Sequence, residues 1–391
     1  MKDGFKIFDA DTHLRPSIES IKPYLPSQVI EAIPDWDRHL VDIVVGMAGE
    51  KREAPYRHWF RYGHRGDDEE GGWGGKTPRF LGEAEPRPQR RGFQTFMGSR
   101  FPTEGGGDWS AEIRLKDMDE EGTDVHYIVG GGGGGGHPDR EIQAEFIRAG
   151  HRFLNDFCMT DPHRLKASIH ASPQNMDASL EEIDRWGDSP WAVAVNPHLR
   201  GDYPIDHPDL DPIWGAAQEH NLCVIHHSGS SGYPGYRDLW NSPFLSRLAS
   251  HPWGAMRAVG AFFGAGIMDR FPNIRFGILE SGFGWLPFWA KRMDDQAVYM
   301  GYVNEHLEYK LSEYMTGGRF FAATVLHEGE DMAKMVTDLL GDHVLMFGSD
   351  YPHAESRFPE SVGIPVGWTK LNNDQRRKLL WDNPVRFFGE P

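Results

Sequence analysis

The sequence predicts an α/β fold, a single (β/α)8 barrel (TIM barrel) with an insertion after its first strand. Three observations favour this fold. Short apolar runs recur along the chain, helix-like stretches alternate with them, and each run leads into small, polar or metal-binding residues. Alternating strands and helices indicate parallel strands joined by crossover helices, and a barrel of eight such units can accommodate a chain of 391 residues.

Eight candidate strands can be placed in order. They are residues 5–8, 125–129, 165–169, 191–195, 222–225, 274–279, 319–325 and 343–347. Helices are predicted between them at residues 140–156, 179–186, 211–220, 285–299 and 330–340. An open doubly wound sheet is the rival fold, but no glycine-rich dinucleotide motif follows the first strand. The seven glycines at 130–136 lack a following Lys-Ser/Thr pair, so we interpret them as a flexible or closely approached loop.

Residues 47–110 interrupt this alternation. They are rich in Gly, Arg, Glu and Pro and show weak periodicity. A structureless loop of this length is unusual inside a compact domain. We therefore predict one domain over residues 1–391, with 47–110 inserted as a lid or an oligomerisation segment. Its Trp59, Phe60, Trp73 and Phe80 could cover a pocket or a neighbouring subunit, and a mobile surface excursion is the alternative.

Composition restricts the partners and the compartment. The formal net charge of −17 argues against nucleic acid and anionic membranes. The two cysteines, Cys158 and Cys223, lie in apolar surroundings and suggest neither a disulfide framework nor a thiolate metal site. No apolar run of about 18 residues is present, so no membrane span is expected. With no apolar signal core at the N-terminus, a cytoplasmic location is the expectation.

Metal-binding residues cluster at the predicted strand ends. The carboxyl ends of barrel strands form the active-site face, so polar residues that are distant in sequence converge there. Asp11 and His13, two positions apart, point to the same side of one strand. Asp350 adds a second carboxylate, although it could instead cap the next helix. Of the adjacent His226 and His227, at most one faces the mouth, and His227 is the preferred candidate.

These residues predict a mixed nitrogen and oxygen site. Such a set suits Zn, Fe or Mn better than Ca or Mg. The expected cofactor is a divalent metal, with one ion favoured and two possible.

Several motifs stand out along the chain, and these are Asp-Ala-Asp-Thr-His at 9–13, His-Ser-Gly at 227–229, Arg-Phe-Pro-Asn-Ile-Arg at 270–275 before Glu-Ser-Gly at 280–282, Gly-Ser-Asp-Tyr-Pro-His at 348–353, and Asp-Asn-Pro-Val-Arg-Phe-Phe-Gly at 382–389. Together they resemble the amidohydrolase-related family of metal-dependent TIM-barrel enzymes, which includes aminocarboxymuconate-semialdehyde decarboxylase and the resorcylate-type decarboxylases. The resemblance spans nearly the whole chain apart from the insertion.

The resemblance implies roles for individual residues. Asp11 and His13 match the first ligand pair, and His227 matches the mid-barrel histidine ligand. Asp350 matches the last-strand aspartate, which binds the metal or exchanges a proton with water. Glu280 stands where the decarboxylases carry a histidine, and it could act as a general base or ligate the metal. This departure argues against simple decarboxylation.

Other polar residues are weaker candidates. His170 could be a further ligand, and with Glu280 it could hold a second metal, as in the 2-aminoisobutyrate hydroxylase system. Asp9 is expected to orient the first strand or support a ligand. The remaining candidates are expected to be structural, to support the site from outside, or to pair with carboxylates, and these are Arg15, His137, His198, His353 and Arg357.

The function predicted from these features is a metal-dependent hydrolase or lyase (decarboxylase) acting on a small organic acid or amide. The metal would activate water, with Asp350 and Glu280 transferring protons. A dinuclear Fe/Mn oxygenase is one alternative, and a non-catalytic metal-binding subunit of a hetero-oligomer is another. A small-molecule substrate and assembly into a homo- or hetero-oligomer with a related barrel are the expected interactions.

Overall fold

In a computed structural model of the chain, eight parallel strands form one sheet whose order in space follows their order in sequence. The structure describes residues 1–14, 16–42, 44–45, 50–51, 56–62, 110–130, 137–197, 199, 204–227, 243–301, 307–353 and 356–391. The strands are β1 (Phe8–Thr12), β2 (Val125–Ile128), β3 (Leu165–Ala171), β4 (Ala192–Pro197), β5 (Cys223–His227), β6 (Phe276–Leu279), β7 (Phe320–Ala323) and β8 (Leu345–Met346). The predicted (β/α)8 barrel is confirmed.

Helices connect the strands and pack outside them. Within the described residues these are α1 (Ile18–Ile21), α2 (Ser27–Glu31), α3 (Ala111–Glu121), α4 (Arg140–Cys158), α5 (Met176–Trp186), α6 (Asp211–Glu219), α7 (Pro243–Gly264), α8 (Ile267–Arg270), α9 (Leu286–Tyr299), α10 (Leu311–Thr316), α11 (Gly329–Leu340), α12 (Gly363–Val366), α13 (Asn373–Arg377) and α14 (Asn383–Phe388). Sequence signals define their ends. Asp139 caps α4 by accepting hydrogen bonds from the N–H groups of Glu141 and Ile142.

The barrel closes where β8 returns to β1, and we call this junction the seam. One isolated parallel bridge joins Thr12 to Tyr351. The N–H of Ala10 donates to the Phe347 carbonyl at 2.8 Å, and the N–H of His13 donates to the Tyr351 carbonyl at 2.7 Å. Side chains that follow β1 and β8 therefore face each other across the seam.

The first strand begins later than predicted. Residues 5–8 were expected to form it, but β1 runs from Phe8 to Thr12, so Asp11 lies inside the strand. The Asp9 carboxylate explains how a polar stretch can pair there. Its Oδ1 accepts the N–H groups of Asp11 at 3.1 Å and Ser349 at 3.0 Å, which ties β1 to the segment after β8.

Aromatic residues of α14 fill the amino-terminal end of the barrel. The Phe388 ring stacks on Tyr127 at 4.2 Å and on Phe8 at 5.4 Å between ring centroids. Phe387 packs against Phe321 at 5.1 Å. Because this end is plugged, the carboxyl end of the strands is the face left for a site.

Two short antiparallel strand pairs follow α2, and one strand of each pair belongs to the predicted insertion. Leu40–Asp42 pairs with His58–Phe60, and Val44–Val45 pairs with Glu50–Lys51. Phe60 is buried, and its ring lies 5.0 Å from that of Phe146 on α4. Trp73 and Phe80 lie outside the described residues, so the lid or oligomerisation role stays a prediction.

Both cysteines are free and buried, in line with the absence of a predicted disulfide. Among the helices that the structure describes, none combines the length and apolar character needed to cross a bilayer.

Candidate metal centre

Residues from β1 and the segment after β8 meet at the carboxyl end of the barrel. The His13 Nε2 atom lies 2.9 Å from Asp350 Oδ1 and 3.5 Å from Asp11 Oδ1. All three residues are buried, with 6% or less of each exposed. The seam therefore brings the Asp350 carboxylate to Asp11 and His13, which lie more than 300 positions earlier in the sequence.

His227 and Glu280 add a second pair from β5 and the end of β6. His227 Nε2 lies 3.1 Å from Glu280 Oε2 and 3.7 Å from Asp11 Oδ1. Glu280 Oε2 is also 3.8 Å from His13 Nε2. Together with Asp350, these residues form one continuous cluster of five at the mouth of the barrel.

His353 completes the cluster on the Asp350 side. Its Nδ1–H donates to Asp350 Oδ1 at 2.6 Å, and its ring stacks on that of His13 with 4.3 Å between centroids. Sequence analysis gave this residue a supporting role, and it lies in direct contact with the cluster.

Both Glu280 and Asp350 adopt left-handed backbone conformations, with φ of 47° and 66°. Such strain is uncommon in non-glycine residues and concentrates at functional sites. Hydrogen bonds hold the turns in place. The Asp350 N–H donates to the Asp11 carbonyl at 2.9 Å. After Glu280, the Glu328 carboxylate accepts the N–H groups of Phe283 and Gly284 at 2.9 and 2.7 Å.

Gly348 allows the close approach of β1 to the last segment. A Cβ atom at this position would lie 2.9 Å from the Asp11 Cβ and 3.2 Å from the Ala323 Cβ. A larger residue would push Asp11 away from the cluster. Close packing thus explains why glycine occupies the first position of the Gly-Ser-Asp-Tyr-Pro-His motif.

Charges within the cluster shift its protonation. Burial lowers the pKa of His13, but the Asp11 and Asp350 carboxylates outweigh burial and raise it to about 10. Burial and Asp350 both raise the pKa of Glu280, but His227 beside it reverses the balance and lowers it to about 2. Burial opposes ionisation of Asp350 as well, yet His353 and His13 hold its pKa far below the usual range. Glu280 and Asp350 are therefore ionised, and the His13 imidazole beside them is protonated.

The donor set fits a divalent metal. Ligand atoms of Asp11, His13 and His227 all lie within 4.8 Å of one another, as do those of His13, Glu280, Asp350 and His353. Within the part of the chain that the structure describes, the buried oxygens Asp11 Oδ1 and Asp350 Oδ2 accept no hydrogen bond of regular geometry. Buried carboxylate oxygens in this state are what a bound cation would satisfy.

The structure distinguishes between the adjacent histidines. His227 faces Asp11 and Glu280, whereas burial, followed by the neighbouring His227, lowers the pKa of His226 to about 3. His226 is therefore neutral, and His227 is the one of the pair that lies in the cluster.

Other predicted residues lie elsewhere. Among the described residues, His170 belongs to neither group of converging ligand atoms, and its backbone N–H donates to His151 Nε2 at 2.9 Å. A role for His170 as a metal ligand stays a prediction. Arg15 and His198 lie outside the described residues, as do residues 131–136 of the glycine run.

His251 is a site residue that was not predicted from the sequence. This residue lies on α7, and its Nδ1–H donates to the Glu280 carbonyl at 2.9 Å while lying 3.5 Å from Glu280 Oε1. Helix α7 was not among the predicted helices, and a lone histidine before a proline inside it carries no local sign of a site. Its proximity to Glu280 follows from the packing of α7 beside the barrel.

Comparison with known proteins extends these observations. A sequence model described as amidohydrolase matches residues 34–389. The 2-amino-3-carboxymuconate-6-semialdehyde decarboxylase of Dictyostelium discoideum is 20% identical over 307 residues, covering 72% of this chain and 77% of the relative.

Solved structures share the fold. A crystal structure of an amidohydrolase from Mycobacterium avium subsp. paratuberculosis K-10 has a TM-score of 0.72 and 17% identity, covering 99% of this chain and 100% of that one. The 5-carboxyvanillate decarboxylase of Novosphingobium aromaticivorans DSM 12444, complexed with manganese and 4-hydroxy-3-methoxy-5-nitrobenzoic acid, has a TM-score of 0.59 and 19% identity. That alignment covers 70% of this chain and 79% of the other.

Fold and cluster together define a metal-dependent TIM-barrel enzyme, as the sequence predicted. Because the family match covers most of its length, the chain belongs to the amidohydrolase family.

Proposed function

We propose that this chain binds one divalent cation between Asp11, His13, His227 and Asp350, and that it decarboxylates or hydrolyses a small organic acid or amide. One observation carries the proposal. The His13 Nε2 atom lies within 3.8 Å of oxygens from three buried carboxylates, those of Asp11, Glu280 and Asp350.

Electrostatics supports a cation at this place. Ionised carboxylates are costly to bury unless a positive charge or a metal compensates them. Here the proton on His13 supplies part of that charge, and a metal that binds would displace it. Nitrogen and oxygen donors suit Mn, Zn or Fe, and the manganese in the Novosphingobium structure makes Mn²⁺ the first ion to test.

A bound cation would polarise a carbonyl or carboxyl group and make water more acidic. The protein groups around it can position the substrate and move protons. Asp350, oriented by the His353 Nδ1–H at 2.6 Å, can accept a proton at its Oδ2. Glu280 is ionised and held by His227, and it can accept or release a proton on the other side of the cluster.

Decarboxylation and hydrolysis predict different products. The Dictyostelium and Novosphingobium relatives are decarboxylases, which supports decarboxylation of an organic acid. Glu280 instead of histidine supports a hydrolytic proton transfer. Purified chain, treated with EDTA and reloaded with Mn²⁺ or Zn²⁺, should be assayed on a panel of hydroxylated aromatic acids and of amides. CO2 release from an acid or amine release from an amide, restored by metal, is the expected result. Turnover that survives metal removal would contradict the proposal.

The number of metal ions is tested in the same preparation. His353 and Glu280 give the cluster a second group of converging ligand atoms that shares His13 with the first. One ion per chain agrees with the proposal. Two redox-active ions about 3.5–4 Å apart would favour the dinuclear oxygenase alternative, and a metal with no turnover on any substrate would favour the non-catalytic subunit.

A further inference from the structure

Two buried charged residues of α3 reach the seam from outside the barrel. Arg114 is fully buried and Asp117 is 3% exposed. They lie three positions apart, so both side chains project from the same face of the helix. Neither belongs to the metal cluster, and α3 follows directly after the insertion.

Arg114 forms hydrogen bonds with the end of β1. Its Nη2 donates to the His13 carbonyl, and its Nη1 donates to the Thr12 hydroxyl at 3.2 Å. Thr12 in turn donates to the Tyr127 carbonyl on β2 at 2.7 Å. The planar guanidinium fork therefore fixes two consecutive residues at the point where the chain leaves β1.

The same face of α3 also contacts Tyr351, on the other side of the seam. The guanidinium carbon of Arg114 lies 4.8 Å above the centre of the Tyr351 ring, within the range of a cation–π contact. The Tyr351 hydroxyl donates to Asp117 Oδ2 at 2.6 Å. Tyr351 directly follows Asp350, so α3 contacts the cluster residue His13 on one side of the seam and the neighbour of Asp350 on the other.

We propose that Arg114 and Asp117 form a seam clamp, a pair of positioning residues that sets the separation of His13 and Asp350 and so tunes metal affinity. The inference rests on the metal centre of the proposed function. A clamp is needed because, among the residues that the structure describes, β1 and β8 form no regular ladder and join through one isolated bridge and a few hydrogen bonds. Metal ligands tolerate little displacement, and loss of a supporting residue typically lowers metal affinity by about 10–100-fold.

A purely structural role predicts something different. If the seam clamp contributed packing alone, its loss would lower the melting temperature and leave the metal affinity of the folded protein unchanged. Metal affinity and melting temperature therefore have to be measured on the same samples.

The test compares Arg114→Lys with Arg319→Lys in the full chain. Arg319 is a matched control, because it also donates to main-chain carbonyls, those of Met268 at 3.0 Å and Ile274 at 3.3 Å, but it lies at the start of β7, at the opposite end of the barrel. Mn²⁺ is titrated into EDTA-treated protein against a competing chelator, and the bound ion is examined by electron paramagnetic resonance.

Arg114→Lys should weaken Mn²⁺ binding by about tenfold or more and alter the Mn²⁺ spectrum. Arg319→Lys should lower the melting temperature and keep the wild-type affinity and spectrum. If Arg114→Lys does not fold, Tyr351→Phe replaces it in the test. This variant removes the hydroxyl group that donates to Asp117 and keeps the ring. It should also weaken Mn²⁺ binding.

Unchanged affinity and spectrum in a folded Arg114→Lys or Tyr351→Phe protein would overturn the clamp while leaving the metal centre intact. A wild-type chain with no affinity for Mn²⁺, Zn²⁺ or Fe²⁺ would overturn the metal centre itself.

Discussion

Glu280 is the residue at which this site departs from the decarboxylase pattern. The strained turn that carries it, with φ of 47°, costs on the order of 1 kcal/mol or more in stability. The turn places its carboxylate 3.1 Å from His227 Nε2 and its carbonyl 2.9 Å from His251 Nδ1. His227 thus contacts the side chain of Glu280 and His251 contacts its backbone, and we expect the carboxylate held there to transfer protons beside the proposed metal.

Glu280→Gln keeps the shape of the side chain and removes its basicity. We expect turnover to fall by at least about a hundredfold, the usual size of a general acid–base contribution. Metal content measured on the same samples separates proton transfer from metal ligation. Glu182→Gln is the matched control, because Glu182 is also buried against a histidine, His151 at 2.7 Å, outside the cluster. Near-normal turnover in Glu280→Gln would reduce Glu280 to a structural role.

We expect His13 to make metal binding depend on pH. Its pKa of about 10 in the metal-free cluster means that it carries a proton at neutral pH, and metal must displace that proton to bind. The Mn²⁺ affinity should therefore rise with pH, by up to about tenfold per pH unit for one displaced proton. Titrations between pH 6.5 and 8.5 test this, and an affinity independent of pH in that range would contradict the protonated state of His13.

At the scale of elements, helix α14 plugs the amino-terminal end of the barrel, and the strands leave space for its side chains. Gly277 on β6 has no side chain because the Phe387 ring occupies the space, and an added Cβ would lie 2.4 Å from the Phe387 Cζ. Arg275 holds the same helix by donating to the Phe387 carbonyl at 2.7 Å. The plug lies at the end of the barrel opposite to the metal cluster.

Gly277→Ala should therefore destabilise the barrel without removing the metal. Overpacking of a rigid aromatic contact typically costs about 1–3 kcal/mol. Urea unfolding measures the loss, with metal stoichiometry recorded in parallel. Gly363→Ala is the control, because no non-neighbouring atom of the described residues lies within 4 Å of a Cβ built there. Equal stability of the two variants would show that Phe387 yields to the new methyl group.

Elements with strong periodicity were predictable. Helices α4 and α9 were located from the sequence to within two residues at each end, because their apolar spacing is regular. Helix α3 was not predicted. It follows directly after the insertion, whose weak periodicity gave no sign that a helix begins at its end. The first strand was placed too early because Asp9 and Asp11 look like the end of a strand, whereas backbone donors from both sides of the seam satisfy Asp9 inside it.

At the scale of the whole molecule, barrel closure creates the site. The convergence of Asp11, His13, His227 and Asp350 could be predicted, because parallel strands of a closed barrel present their carboxyl ends on one face. The contacts of His251 and Arg114 could not, because they depend on how helices outside the barrel pack. The choice between His226 and His227 also needed the structure, because strand alternation shows that they face opposite sides without showing which side holds the site.

Global stability should depend on pH through Glu121, a buried residue of α3. Burial, followed by repulsion from Asp9, raises the pKa of Glu121 from 4.5 to about 8. The folded state therefore holds this proton more tightly than the unfolded chain does. The resulting stabilisation is complete below about pH 4.5 and is lost as the pH rises toward 8, by at most about 1.4 kcal/mol per pH unit.

Glu121→Gln removes this titration and keeps the neutral shape. Unfolding free energies of metal-free wild type and variant, compared from pH 6 to 8, should diverge in favour of the variant by up to about 2–3 kcal/mol. A constant difference across this range would show that Glu121 does not hold its proton.

The central claim is that residues from opposite ends of the chain bind one cation, and the metal content of single-site variants tests it most directly. Wild type, His13→Ala, His227→Ala and the control His220→Ala, whose ring pairs with Asp188 at 3.0 Å away from the cluster, are purified identically and measured by elemental analysis. We predict one ion per chain in wild type and in His220→Ala, and loss of most of the metal in the other two, with circular dichroism showing a folded barrel throughout. Unchanged metal content in both His13→Ala and His227→Ala would contradict the account.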